Sequence, residues 1–134
     1  MKKTPVILVA VLTVLLLALV CFFSVDRSHA ASRRAESFAR SLSEGRYRKA
    51  YRMLKLPEGK TLSQEEFEAE GTLLVSLLLK DRVPEEILVS DPEFADGEKE
   101  RCQVTVTYLT GSETEDLFLT LVRAGRSWKI ADYS

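Results

Sequence analysis

Residues 101–133, RCQVTVTYLTGSETEDLFLTLVRAGRSWKIADY, carry a period of two almost from end to end. Cys102, Val104, Val106 and Tyr108 alternate with Gln103, Thr105 and Thr107. Gly111-Ser112 is a turn signal, after which Leu117, Leu119 and Leu121 alternate with Phe118, Thr120 and Val122. Ala124-Gly125 turns the chain again, and Trp128 and Ile130 close the series with Ala131 and Tyr133 on the opposite face. A period of two places one set of side chains on each face of a sheet, and short turns between strands give an antiparallel meander. Ile87 and Val89 supply one more strand upstream, broken by Asp91-Pro92.

Further upstream the period becomes helical. Ser63 and Glu66 stand as a capping box, with Leu62 and Phe67 at the staple positions on either side. These two devices start a helix at Gln64. It runs through Phe67, Leu73, Leu74, Leu77 and Leu78 and ends between Lys80 and Pro84, with Gly71 either weakening it or letting another backbone come close. Before it, Ala35, Phe38, Ala39 and Leu42 recur at spacings of three and four, one face of a helix. Gly45 interrupts, and a short second run follows with Tyr47, Ala50, Tyr51 and Leu54 apolar and Arg46, Arg48, Lys49, Arg52 and Lys55 on its other side. Helices first and strands afterwards predict an α+β domain over residues 31–134, its helices packed on one face of a curved antiparallel sheet.

Residues 1–30 have a different character. Pro5 to Val25 run without a charge between Lys3 and Asp26, and about 20 apolar residues in a helix span a bilayer core. The sequence therefore predicts a transmembrane anchor over residues 5–25, a short polar stretch from Asp26 to Ser32, and then the domain. Cleavage after Ala30 is the alternative, since Ser28-His29-Ala30 makes a small-x-small site, but the apolar run exceeds a usual signal-peptide core. A lipoprotein is disfavoured because Val20 precedes Cys21. Lys2 and Lys3 pull the N-terminus inward and Arg27, Arg33, Arg34 and Arg40 pull the other way; the export-like start favours a domain on the extracytoplasmic side, or a secreted one if cleaved.

Composition narrows the chemistry. With 19 Lys and Arg against 20 Asp and Glu, the chain lacks the basic face that nucleic acid requires. Cys21 lies in the apolar segment and Cys102 in a strand, so Cys102 reads as a buried, reduced hydrophobe. The one histidine, His29, falls outside the domain, which leaves Cys102 and the serines without a base. The ligand count for zinc is missing, as are phosphate loops and dinucleotide fingerprints, and no cofactor is implied. The acidic run Glu65, Glu66, Glu68 and Glu70 fits the first turns of a helix. Asp132, in phase with Trp128 and Ile130, reaches the core side on this reading, while Asp116 sits near a hairpin start.

Two stretches carry a resemblance to a known family. Ala35-x-x-Phe38-Ala39 followed by Glu44-Gly45-Arg46-Tyr47-Arg48-Lys49-Ala50-Tyr51, and the closing Gly125-Arg126-Ser127-Trp128-Lys129-Ile130-Ala131-Asp132, are similar to the opening and the end of extracytoplasmic nuclear-transport-factor-2-like (cystatin-like) domains. The resemblance covers about residues 31–134 and implies a cone of three helices and a curved sheet. Similar domains form the membrane-proximal module of some penicillin-binding transpeptidases and also stand alone in anchored proteins; this chain has no Ser-x-x-Lys, so only the module is implied. Enzymes of that fold use an Asp or His inside the cone as general base. Two functions follow as expectations. One is a non-catalytic, membrane-anchored domain that binds another envelope protein. The other is a small-molecule binder, or an enzyme, using a cone cavity lined by Tyr108, Trp128 and Asp132.

Overall fold

A computed structural model describes the chain from residue 4 to 134, and its side chains over residues 8–19 and 29–134. Its elements are α1 (Thr4–Ser43), α2 (Tyr47–Tyr51), α3 (Gln64–Leu79), β1 (Glu86–Val89), β2 (Arg101–Thr110), β3 (Glu113–Ala124) and β4 (Ser127–Tyr133). The strands form one antiparallel sheet in the order β1-β2-β3-β4, and the helices cover one face of it. The α+β architecture is as the periodicities predict.

The polar stretch from Asp26 to Ser32 does not separate an anchor from the domain. It lies inside α1, a single helix of 40 residues. The stretch is polar but holds no Gly or Pro, so nothing in it stops a helix that has already nucleated on both sides. The first breaker is Gly45. Its φ of 73° is a left-handed conformation that costs an L-residue energy, and it lets Gly45 N–H bond to Leu42 O and Arg46 N–H to Ser41 O, closing the helix in a Schellman motif. Among the described residues no helix is long and apolar enough to cross a membrane. The span expected over residues 5–25 includes 5–7 and 20–25, whose side chains lie outside the described ones.

The core forms where α1 meets the sheet. Ala31, Ala35, Phe38, Ala39 and Leu42 are buried against Val104, Val106, Tyr108, Leu117, Leu119, Leu121 and Ile130. Alanine at three of the five helix positions lets α1 lie close, and Phe38 fills the space beyond. The buried Tyr108 hydroxyl donates to Ala39 O at 2.7 Å, which satisfies it inside the core.

The capping reading of α3 holds: Ser63 Oγ accepts from Glu66 N–H at 3.1 Å and Phe67 is fully buried. Packing selects one side of the apolar run. Phe67 and Gly71 are buried and Leu74 and Leu78 partly so, whereas Leu73 and Leu77 are 64% and 68% exposed. The run Leu73-Leu74 and Leu77-Leu78 offers two apolar stripes about 100° apart, and the Phe67–Gly71 line decides which one turns inward. At Gly71 the close neighbour is a side chain and not the expected backbone: a Cβ there would stand 3.0 Å from the Tyr47 ring.

A β-bulge reverses the expected faces at the end of β4. Leu121 pairs with Ile130 and Thr120 with Asp132, so Ala131 is an extra residue. One extra residue flips every following side chain to the other face. Asp132 is therefore exposed, and Tyr133 turns inward to pack on Phe38 and Phe67, with ring centroids 5.9 Å away in each case.

Candidate functional site

The three residues expected to line a cavity are not brought together. Tyr108 is inside the core with its hydroxyl on α1. Burial raises its pKa above the usual phenol range. Trp128 is buried at the β3–β4 end, with Phe94 edge-on at a centroid distance of 6.1 Å. Asp132 lies on the opposite face of the sheet, at a surface cleft of about 390 Å³ with Lys55, Lys60 and Arg101 among its walls. Its carboxylate accepts from Tyr133 N–H at 3.0 Å. Leu117, Leu119 and Leu121, which would border a cone cavity, are themselves fully or almost fully buried.

Other candidate chemistry is similarly dispersed. Cys102 is buried, and desolvation pushes its thiol up to about 11, which suits a packed hydrophobe rather than a nucleophile. Asp116 accepts from the Thr107 hydroxyl at 2.7 Å on the exposed face of the sheet. His29 is exposed on α1, away from the core. Among the described residues no group of three or more His, Cys, Asp or Glu is placed to hold a metal ion. The basic run on α2 is exposed; Arg46 pairs with Glu44 at 3.3 Å, and Lys129 donates to Arg52 O at 3.2 Å.

One flank of α3 carries exposed apolar side chains. Glu70, Leu73, Leu77 and Lys80 follow one another at spacings of three and four, so they form a stripe along the helix. Both ends of the stripe are tied to the sheet. Glu70 Oε2 accepts from the Tyr133 hydroxyl at 2.9 Å, at the end of β4. Lys80 Nζ stands 3.8 Å from Glu113 Oε2, at the start of β3, and Arg82 reaches the same oxygen at 3.5 Å. The Tyr133 hydroxyl is held protonated well above the usual range, first by burial and then by its bond to Glu70 and the charge there. Between these two ties Leu73 and Leu77 face solvent. Four residues apart on one helix, they stand side by side as a small apolar patch. The sequence signal for this flank is the second apolar stripe of α3, visible beside the buried one.

Comparison with known proteins gives the fold and little more. No family model matches the chain, and no curated protein matches it. Among solved structures, a Campylobacter jejuni protein described as an NTF2-like transpeptidase superposes with a TM-score of 0.59 at 12% identity, over 73% of this chain and 94% of that one. An NTF2-like protein of unknown function from Silicibacter pomeroyi superposes with a TM-score of 0.53 at 18% identity, over 82% of this chain and 94% of that one. The chain has the NTF2-like fold.

Proposed function

We propose that this chain is a non-catalytic module, anchored in a cell membrane by the N-terminal half of α1, that docks another envelope protein on its extracytoplasmic side. The observation that carries the docking reading is the exposed pair Leu73 and Leu77 on a helix whose other face is already packed. An exposed aliphatic pair stabilises nothing in the domain itself, and covering it gains about 25 cal/mol for each Å² removed from water. Anchoring is supported by the uncharged run between Lys3 and Asp26, and by Leu8, Leu12, Leu15, Leu16 and Leu19, each at least half exposed on α1. A helix that is apolar all round calls for an apolar surrounding.

The competing reading, a small molecule inside the sheet-and-helix layer, gains no support from the packing. Leu117, Leu119, Leu121 and Trp128 fill that space, and a ligand would have to displace them.

The test is site-specific photocrosslinking in intact cells, with the photoreactive side chain at Leu77 and, as a control, at Thr105 on the other sheet face. A defined adduct with another envelope protein from position 77, absent from position 105, is the expected result. Monomer alone from both positions would remove the docking reading.

A further inference from the structure

The cleft beside Asp132 is built by the chain after α2 and by three strands of the sheet. The chain leaving α2 runs along the outer side of β4. Ile130 N–H bonds to Met53 O at 2.8 Å, and Lys55 N–H bonds to Ile130 O at 2.8 Å. These two bonds fix Lys55 and Leu56 at the edge of the sheet. Pro57 to Lys60 then form a tight turn, closed by Lys60 N–H on Pro57 O at 3.1 Å, which returns Lys60 to the same cleft. From the sheet, Arg101 at the start of β2 pairs with Val122 of β3, and the bulge at Ala131 brings Asp132 to the face away from the helices. Leu56, Pro57, Val122 and Ala131 give the cleft an apolar lining, and its volume of about 390 Å³ is that of a small-molecule site.

Charge gives this cleft its character. Elsewhere on the domain cations pair with nearby carboxylates: Arg40 with Glu36, Arg46 with Glu44, and Lys80 and Arg82 with Glu113. Among the described residues Lys55, Lys60 and Arg101 make no ion pair, although Glu58 and Asp132 line the same cleft. Asp132 accepts from Tyr133 N–H instead. Lys129 extends the positive region, because it pairs with Val122 in the same cross-strand row as Arg101. The chain as a whole is nearly neutral, so this concentration is local. Like charges held around one cleft repel, and an anion placed among them turns that repulsion into attraction.

We infer that this cleft binds a phosphate monoester, its phosphate held by Lys55, Lys60 and Arg101 and its apolar body lying on Leu56, Pro57, Val122 and Ala131. A phosphate monoester carries a charge of about −1.5 to −2 at pH 7 and three strong acceptor oxygens. That matches three cationic donors, whereas a single carboxylate brings one charge. Arg101 can hold two of the oxygens at once through the fork of its guanidinium, and the two lysines act as point charges beside it. A soluble phosphate ester and the phosphate headgroup of a lipid share this chemistry, and the test separates them. The cleft lies apart from the α3 flank, so this inference stands independently of the docking reading.

The test titrates the full chain, held in nonionic detergent, with phenyl phosphate and follows the backbone amides by NMR. Inorganic phosphate, which lacks the apolar body, and benzyl alcohol, which lacks the charge, serve as controls. Phenyl phosphate is expected to shift the amides of Lys55, Lys60, Arg101, Val122 and Ala131 saturably. Inorganic phosphate should bind more weakly, and benzyl alcohol should leave these amides unmoved. Lys55→Gln, Lys60→Gln and Arg101→Gln alter exposed side chains and should each weaken phenyl phosphate roughly tenfold, the loss of about one charge-assisted bond. Asp132→Asn removes a carboxylate from the cleft and should strengthen binding severalfold, a gain that a merely structural role does not produce. The pair Lys80→Gln and Arg82→Gln removes two cations elsewhere and should change nothing. Dioctanoyl phosphatidic acid, with dioctanoylglycerol as its phosphate-free control, names the source: tighter binding than phenyl phosphate assigns a lipid headgroup, and weaker binding assigns a soluble ester. The absence of a saturable shift at these amides, or equal shifts with benzyl alcohol, would overturn the site. So would an equal weakening by the Lys80 and Arg82 substitutions, since any surface cation would then serve.

Discussion

The Tyr108 hydroxyl is a polar side-chain link that ties α1 to the middle of the sheet, and its partner is the carbonyl of Ala39. Tyr108→Phe keeps the ring and loses that bond, which should cost about 1 kcal/mol and lower the melting temperature by several degrees. The same hydroxyl fixes a pH dependence. Burial raises the pKa of Tyr108 and of Tyr133, so the folded chain keeps those protons to higher pH than the unfolded chain, whose tyrosines titrate near 10. A group raised in the folded state contributes stability that is complete below its unfolded pKa and is lost as pH climbs toward the folded one. Cys102 adds a loss of the same sign, because burial pushes its thiol up to about 11. Stability from these groups is therefore flat through neutrality and falls in alkali. Denaturant midpoints taken near pH 8 and near pH 11 should show a smaller drop for Tyr108→Phe than for the parent chain; an equal drop would mean that Tyr108 titrates normally. At this scale the sequence misleads at Asp132. Its place in the alternation was plain, but the bulge at Ala131 depends on how β4 meets β3, and no residue beside it announces an extra position.

At the scale of elements, α3 separates what local chemistry decides from what packing decides. Its start was legible because Ser63 accepts from Glu66 N–H three residues on, and Phe67 is buried one residue later. Its buried face was not, because Leu73-Leu74 and Leu77-Leu78 satisfy two orientations equally, and the choice rests on the distant rings of Tyr47, Tyr51 and Tyr133 around Gly71 and Phe67. The strands, apart from the end of β4 beyond the bulge, were legible for the opposite reason. A sheet buried on one face enforces its alternation residue by residue, and the two tight turns at Gly111 and Gly125 fix the register from within. The division has a direct consequence. The double substitution Leu73→Gln and Leu77→Gln should leave folding stability within about 0.5 kcal/mol, as surface changes do, while Phe67→Ala should cost about 3–5 kcal/mol. Urea denaturation of the three proteins measures both. A loss from the glutamine pair that rivals Phe67→Ala would place these leucines in the core and remove the docking flank with them.

For the molecule as a whole, the continuity of α1 bears on how the chain is held. Its 40 residues rise about 60 Å, and the part that packs on the sheet begins with no break after the apolar part. Ala31 is fully buried, Ala30 is partly buried against the core, and Ser32 Oγ donates to Ser90 O at 3.1 Å. Cleavage after Ala30 would put a new α-ammonium at Ala31, at the positive end of the helix dipole, an unfavourable place for a cation worth about 0.3–1 kcal/mol. It would also remove Ala30, which is partly buried against the core. Both effects favour the uncleaved helix. Intact mass of the native protein, taken separately from membrane and soluble fractions, should find the chain in the membrane fraction with its apolar half still attached. A soluble chain beginning at Ala31 would mean that these small costs do not prevent cleavage. It would also replace the anchored module with a secreted one whose partner lies away from the membrane.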